Sequence, residues 1–239
     1  MMHGDAGVIL RDLQAVADER RLREADVHLA ERVKAVKSYQ QRRFQHTYAD
    51  LLANPRYAAA AHFFLDDLYG PRDFTRRDAE FARVVPSLVR LFPAEIVATV
   101  ASITRLHALS ESLDTEMARQ LPQAAVVTVA AYAAAWQRTG RRSDRAEQIR
   151  LTLSVGAALY RYTRSALLRT TLRMMRSPAQ AAGLGDLQRF LESGFDAFRD
   201  MKGAADFLAM VGARERALAD NLFQGLDASS VQAAQDGHP

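Results

Sequence analysis

The stretch His62–Pro93, HFFLDDLYGPRDFTRRDAEFARVVPSLVRLFP, holds the densest aromatic cluster of the chain around a single Gly-Pro break. Before the break, Phe63, Phe64, Leu65, Leu68 and Tyr69 make a segment apolar on most faces, as a buried helix requires. Gly70-Pro71 stops that helix, because glycine accepts a left-handed cap and proline has no N–H to continue the ladder. Asp73 or Thr75 is then placed to cap a second helix, with Asp78 three residues after Thr75 as in a capping box. That helix carries Phe81, Val84, Val85, Leu88, Leu91 and Phe92, and Pro86 predicts a kink or split within it. Two helices about one turn are the reading.

The polar residues of the stretch stand at helical spacing. His62 and Asp66 are four apart and share a face. Arg76, Arg77 and Asp78 follow one turn past the break. Two roles are open to them: ion pairs that fix the turn, or the polar fittings of a pocket walled by Phe63, Phe64 and Tyr69, with Arg76 and Arg77 beside it. The motif FFL-x-DLYGPRDF-x-RRD, together with AGLGDLQRFLESGFDAFRDMKGAADFLAMVGARE at Ala182–Glu215, resembles a family of uncharacterised all-helical bacterial proteins. The resemblance covers most of the chain. It implies a helical fold and carries over no activity, cofactor or catalytic residue.

The whole chain extends that reading. Its 239 residues include only 12 glycines and 7 prolines, and no alternating strand pattern of any length occurs. With 49% hydrophobic residues there is ample material for a core, and disorder is expected only at the ends. The prediction is an all-α, single-domain bundle of seven to nine helices over residues 1–224, with a fraying tail over 225–239. Neither breaker occurs between Gly7 and Pro55, so Val8–Ala53 is one long helix, or two with a joint near Arg20–Asp26. Ala94–Leu121 reads as one long helix, Pro122–Thr139 as a small-residue buried one, and Gln148–Arg176 as another long one. Asp186 caps a helix to about Asp200, and a last helix runs from Ala204 to Phe223.

Composition removes several chemistries. Without cysteine there are no disulfides, thiolate metal sites or thiol nucleophiles. The N-terminus has no leader pattern. The longest apolar tract, Ala124–Trp136, is too short to span a bilayer, so a soluble, cytoplasmic protein without a membrane span is expected. Gly-rich phosphate loops, nucleophile elbows and His-Glu-x-x-His are all missing.

What remains is charge set in apolar surroundings. On Ala94–Leu121, Ile96, Val100, Ile103, His107, Glu111 and Asp114 fall in one band at 100° per residue. A polar island in an apolar stripe must be paired, solvated or liganded, since an unpaired buried charge costs several kcal/mol. His62 with Asp66 repeats the spacing of His107 with Glu111. Were the two helices to face each other, His62, Asp66, His107, Glu111 and Asp114 would offer a transition metal its ligands, and His62 or His107 an axial ligand for haem. The Glu-x-x-His of di-iron bundles is missing.

Net charge is +4, yet Arg138–Arg176 holds ten arginines against Asp144 and Glu147, or +8, leaving −4 for the rest. Arg161, Arg164, Arg169, Arg173 and Arg176 form a basic face that either pairs with acidic helices or follows phosphates of a nucleic acid. The sequence favours a protein without intrinsic catalysis or cofactor that acts through a protein partner or as a homo-oligomer. A metal- or haem-binding bundle and a nucleic-acid binder are the alternatives.

Overall fold

The computed structural model describes residues 2–68, 74–122, 126–201 and 203–225, and among these no strand occurs. The described residues form twelve α-helices, more than the seven to nine expected. They are α1 (Met2–Glu24), α2 (Val27–Thr47), α3 (Ala49–Ala53), α4 (Ala58–Phe63), α5 (Thr75–Leu91), α6 (Ala94–Gln120), α7 (Val129–Thr139), α8 (Arg142–Thr163), α9 (Ala166–Met174), α10 (Arg176–Ala181), α11 (Gly185–Asp200) and α12 (Ala205–Gln224). A π-helical turn, Phe64–Leu68, continues α4. Tyr69, the Gly70-Pro71 stop, Asp73 and the tail beyond Gly225 lie outside the described residues.

Two helix boundaries, the first of them at the joint offered near Arg20–Asp26, are set by side chains that cap where no glycine or proline intervenes. Asp26 separates α1 from α2 by accepting from the N–H groups of His28 and Leu29 at 3.1 and 3.0 Å. Ser165 starts α9 by accepting from the Leu168 N–H, which divides the long helix expected over Gln148–Arg176. Two expectations near the aromatic motif are corrected. Neither Thr75 nor Asp78 caps α5, whose N-cap is Phe74 without a side-chain bond. Nor does Pro86 split it: α5 runs through that proline, which is exposed, on the side where water can replace the missing donor.

Helix α6 is the axis. Its C-terminal half packs Met117 and Ala118 against Leu29, Val33 and Val36 of α2, Tyr132 and Trp136 of α7, and Leu218 and Leu222 of α12. Its N-terminal half joins Ile9 and Leu13 of α1 to Val85 and Val89 of α5 through Val97. Between these, Leu106, Leu109 and Leu113 meet Leu151 of α8. A separate aromatic core sits at the far side, where Phe63 and Phe64 pack on Phe198 and Phe207 with Tyr48, Tyr57 and Met201.

That aromatic core admits α11 because Gly194 stands opposite Phe63. A Cβ on Gly194 would lie 2.8 Å from the Phe63 ring, itself hemmed in by Phe190 and Phe198 at centroid distances of 5.5 and 6.3 Å. Gly194→Val should therefore lower stability by about 1–3 kcal/mol, the usual cost of overpacking. A thermal midpoint equal to that of the native chain would show that the contact is not tight.

Candidate functional site

Helices α5, α6, α8, α9 and α11 do not close on one another along their length. They leave a cavity of about 530 Å³ whose walls are almost wholly apolar. Val84, Leu88 and Leu91 of α5, with Phe92 just after it, face Ile96, Val100, Ile103 and Leu106 of α6 across it. Val155, Leu159 and Tyr162 of α8, Leu168 and Leu172 of α9, and Leu187, Phe190 and Leu191 of α11 complete the wall. Phe63, Phe64, Phe74 and Phe81 supply the aromatic end. The spacing that makes α6 amphipathic also divides its apolar band, part going to the core and part to this wall.

The polar residues of α6 form the floor, and each has been met by a partner from another helix. Asp78 of α5 accepts from His107 Nε2 at 2.9 Å, from Arg20 of α1 at 2.6 Å and from Arg77 at 3.1 Å. Burial alone would raise the Asp78 carboxyl. The hydrogen bond and charge from His107, with Arg77 and Arg20, instead hold it far below the usual carboxylate range. Arg77 is clamped between the rings of Phe74 and Phe190, 4.1 and 4.6 Å from their centroids, and donates to the Asp67 carbonyl at 2.9 Å. Burial pulls its guanidinium down from its ordinary value.

One turn further along α6, Glu111 is gripped by Arg23 of α1 and by Lys37 of α2, whose Nζ lies at 2.5 Å. Arg23 is fully engaged, donating also to the Glu111 carbonyl and to Thr115 Oγ1, each at 2.7 Å. Burial works to raise Glu111, but the charges of Lys37 and Arg23 overcome it and bring its pKa down to about 2. Asp114 accepts from Gln40 Nε2 at 3.0 Å, and burial outweighs the charges of Lys37 and Arg145 to push its carboxyl above the ordinary value. Ser110 Oγ donates to the Leu106 carbonyl and accepts from Gln148 Nε2, both at 2.8 Å.

The sequence candidates therefore part company. His107, Glu111 and Asp114 line the cavity together with Phe63, Phe64 and Arg77. His62 and Asp66 face outward, with side chains 58% and 38% exposed and 3.7 Å apart. The five-residue metal set is not brought together: among the described residues, no three His, Cys, Asp or Glu are grouped as a metal ion requires. For haem, the His107 ring nitrogen that would reach iron is the one bonded to Asp78. Arg76 turns away to the solvent and reaches Asp186 at 3.4 Å. Arg161, Arg164, Arg169, Arg173 and Arg176 are all exposed, and Arg176 pairs with Glu192 at 2.6 Å.

Several residues of the floor carried no separate signal. Arg20, Arg23, Lys37 and Gln40 look like ordinary solvent-facing positions of amphipathic helices, and only the polar island on α6 implied that partners for it must exist. The Tyr48 hydroxyl, bonded to Glu215 at 2.7 Å beside Arg43, is a second buried polar contact of this kind.

A family model described as a domain of unknown function, DUF8198, matches residues 19–229, and the chain belongs to that family. No curated protein and no solved structure matches this chain. Among the described residues, no helix is long and apolar enough to cross a membrane.

The two carboxylates of α6 should respond to pH with opposite sign. Glu111, whose folded pKa of about 2 lies below the ordinary 4.5, adds stability that is complete above that ordinary value and lost as pH falls toward 2. Glu111→Ala strands Arg23 and Lys37 and should cost about 3–5 kcal/mol at neutral pH. Asp114, raised on folding, does the reverse: it weakens the fold as pH rises through its ordinary range. Asp114→Asn keeps the Gln40 bond, so in denaturant titrations it should match or exceed the native chain at neutral pH and lose that advantage in acid. A neutral-pH loss as large as that of Glu111→Ala would contradict this assignment.

Proposed function

We propose that this protein binds an amphiphile, a molecule with a long apolar body and a small anionic head, of the long-chain carboxylic acid class. The observation that carries this is the cavity, which at about 530 Å³ falls within the range of small-molecule sites. Its apolar walls suit a hydrocarbon body. Its polar floor suits a head group, because Lys37 and Arg77 border the space there while Arg20 and Arg23 stand behind them, paired with the floor carboxylates. Lys37, Arg77, His107 and Ser110 border the space.

The other readings have less to stand on. Association with a protein partner or a second copy has a candidate surface on α9, where Leu167 and Met174 are exposed. Nucleic-acid binding has the exposed arginines of the same region. A metal or haem reading has His107, Glu111 and Asp114 at the cavity, and the His107 bond to Asp78 and the Glu111 pairs with Arg23 and Lys37 compete with any metal.

Binding is tested with a dansyl-labelled undecanoic acid, whose fluorescence rises on entering an apolar site, and with hexadecanoic acid as competitor. Competitors should weaken roughly tenfold for every two carbons removed, from about 0.8 kcal/mol per buried methylene. Ile103→Trp, which fills the middle of the cavity, should abolish uptake while leaving the helical spectrum intact. The methyl ester should compete less well than the acid. No saturable uptake by the native chain, or uptake unchanged in Ile103→Trp, would overturn the reading.

A further inference from the structure

Helix α9 is strongly amphipathic and yet buries none of its side chains. Its residues divide by direction. Leu168, Thr171 and Leu172, with Met175 just after the helix, border the cavity. Leu167 and Met174 continue the apolar arc outward and are 74% and 73% exposed. Arg169 and Arg173 stand on the opposite edge, and Arg161, Arg164 and Arg176 lie on either side of the helix along the chain. From Gln148 to Gly185 the sequence has Arg150 and these five arginines and no acid at all.

We propose that α9 and its arginines are a docking face for an anionic lipid bilayer surface. Large apolar side chains held out in water beside a row of arginines are the composition of helices that lie in the membrane interface. The arginines supply the attraction to acidic head groups, and Leu167 and Met174 are the side chains that enter the acyl boundary. The acids that face this row belong to α11. Glu192 pairs with Arg176, and Asp196 lies close by. Among the described residues no acid pairs with Arg161, Arg164 or Arg169. The apolar arc is continuous with the cavity wall, and Met175 and Leu191 belong to both the exposed surface and that wall. An amphiphile leaving a bilayer at this face would therefore meet apolar side chains along its path. The proposal draws on the cavity reading only for what docking would deliver, since the face itself is defined by exposure and charge.

The test is flotation with vesicles of equimolar phosphatidylglycerol and phosphatidylcholine, against vesicles of phosphatidylcholine alone. The native chain should float with the acidic vesicles and less so as salt is raised, and should stay behind with the neutral ones. Arg169→Gln with Arg173→Gln should weaken the partition about 25-fold, at roughly fivefold per arginine near an acidic surface. Leu167→Asp with Met174→Asp should lose it, with the thermal midpoint unchanged because both positions are exposed. Ile103→Trp should still float, which separates this proposal from the cavity reading. Three results would overturn it. One is no recruitment of the native chain. Another is a dimer in light scattering, dissolved by Leu167→Asp with Met174→Asp and indifferent to vesicles. The third is tighter binding of a short RNA than of acidic vesicles in the same buffer, lost with Arg169→Gln and Arg173→Gln.

Discussion

A glutamate buried at 6% side-chain exposure must keep its cations, and that constraint organises the molecule. Glu111 sits on the central helix, while Arg23 and Lys37 come from two others. Removing one partner from a buried ion pair costs several kcal/mol, although the pair as a whole gains little over a well-packed apolar contact. The consequence is positional more than energetic. With Arg23 bound to Glu111 and Arg20 bound to Asp78, α1 has one register along α6, and Asp78 ties α5 to the same axis through His107. An apolar seam alone would tolerate a slide of one turn; this arrangement does not.

Fixing α1, α2 and α5 on one side of α6 leaves α8, α9 and α11 to enclose the other. Two of these helices are seated at glycines, Gly194 of α11 against Phe63 of α4 and Gly156 of α8 against Leu208 of α12. Tyr162 links α8 to the start of α6, its hydroxyl donating to the Glu95 carbonyl at 2.9 Å. The space lies beside α6, and its floor is the same ionic cluster that sets the register.

Much of this was legible in the sequence, and the limits have physical causes. The long breaker-free segments and the absence of alternation announced an all-helical chain, and α6 came out within a residue of its extent. The polar island His107–Asp114 was legible as an anomaly because a charge in an apolar stripe demands compensation. Its partners were not legible. Arg23 lies 88 residues from Glu111 and Gln40 lies 74 from Asp114, and nothing local distinguishes them from the other polar residues of α1 and α2. His62 with Asp66 mimicked His107 with Glu111 because spacing reports which residues share a face, not where that face looks. The break between α8 and α9 was hidden for a similar reason: Ser165 can cap a helix or sit inside one, and tertiary packing decides between the two.

The cavity also bears on stability. Its walls are exposed to solvent at Leu91, Phe92, Met175 and Leu191, and covering apolar surface of this kind stabilises by about 25 cal/mol per Å². An apolar occupant would touch α5, α6, α8 and α11 at once. Helix α9, none of whose side chains is fully buried, packs on α8 and α11, and Gln188 of α11 donates to its Leu172 carbonyl at 2.6 Å, so an occupant of the cavity would add to these contacts. The ionic floor, tied to α1, α2 and α5, is the part of the lining that owes nothing to an occupant.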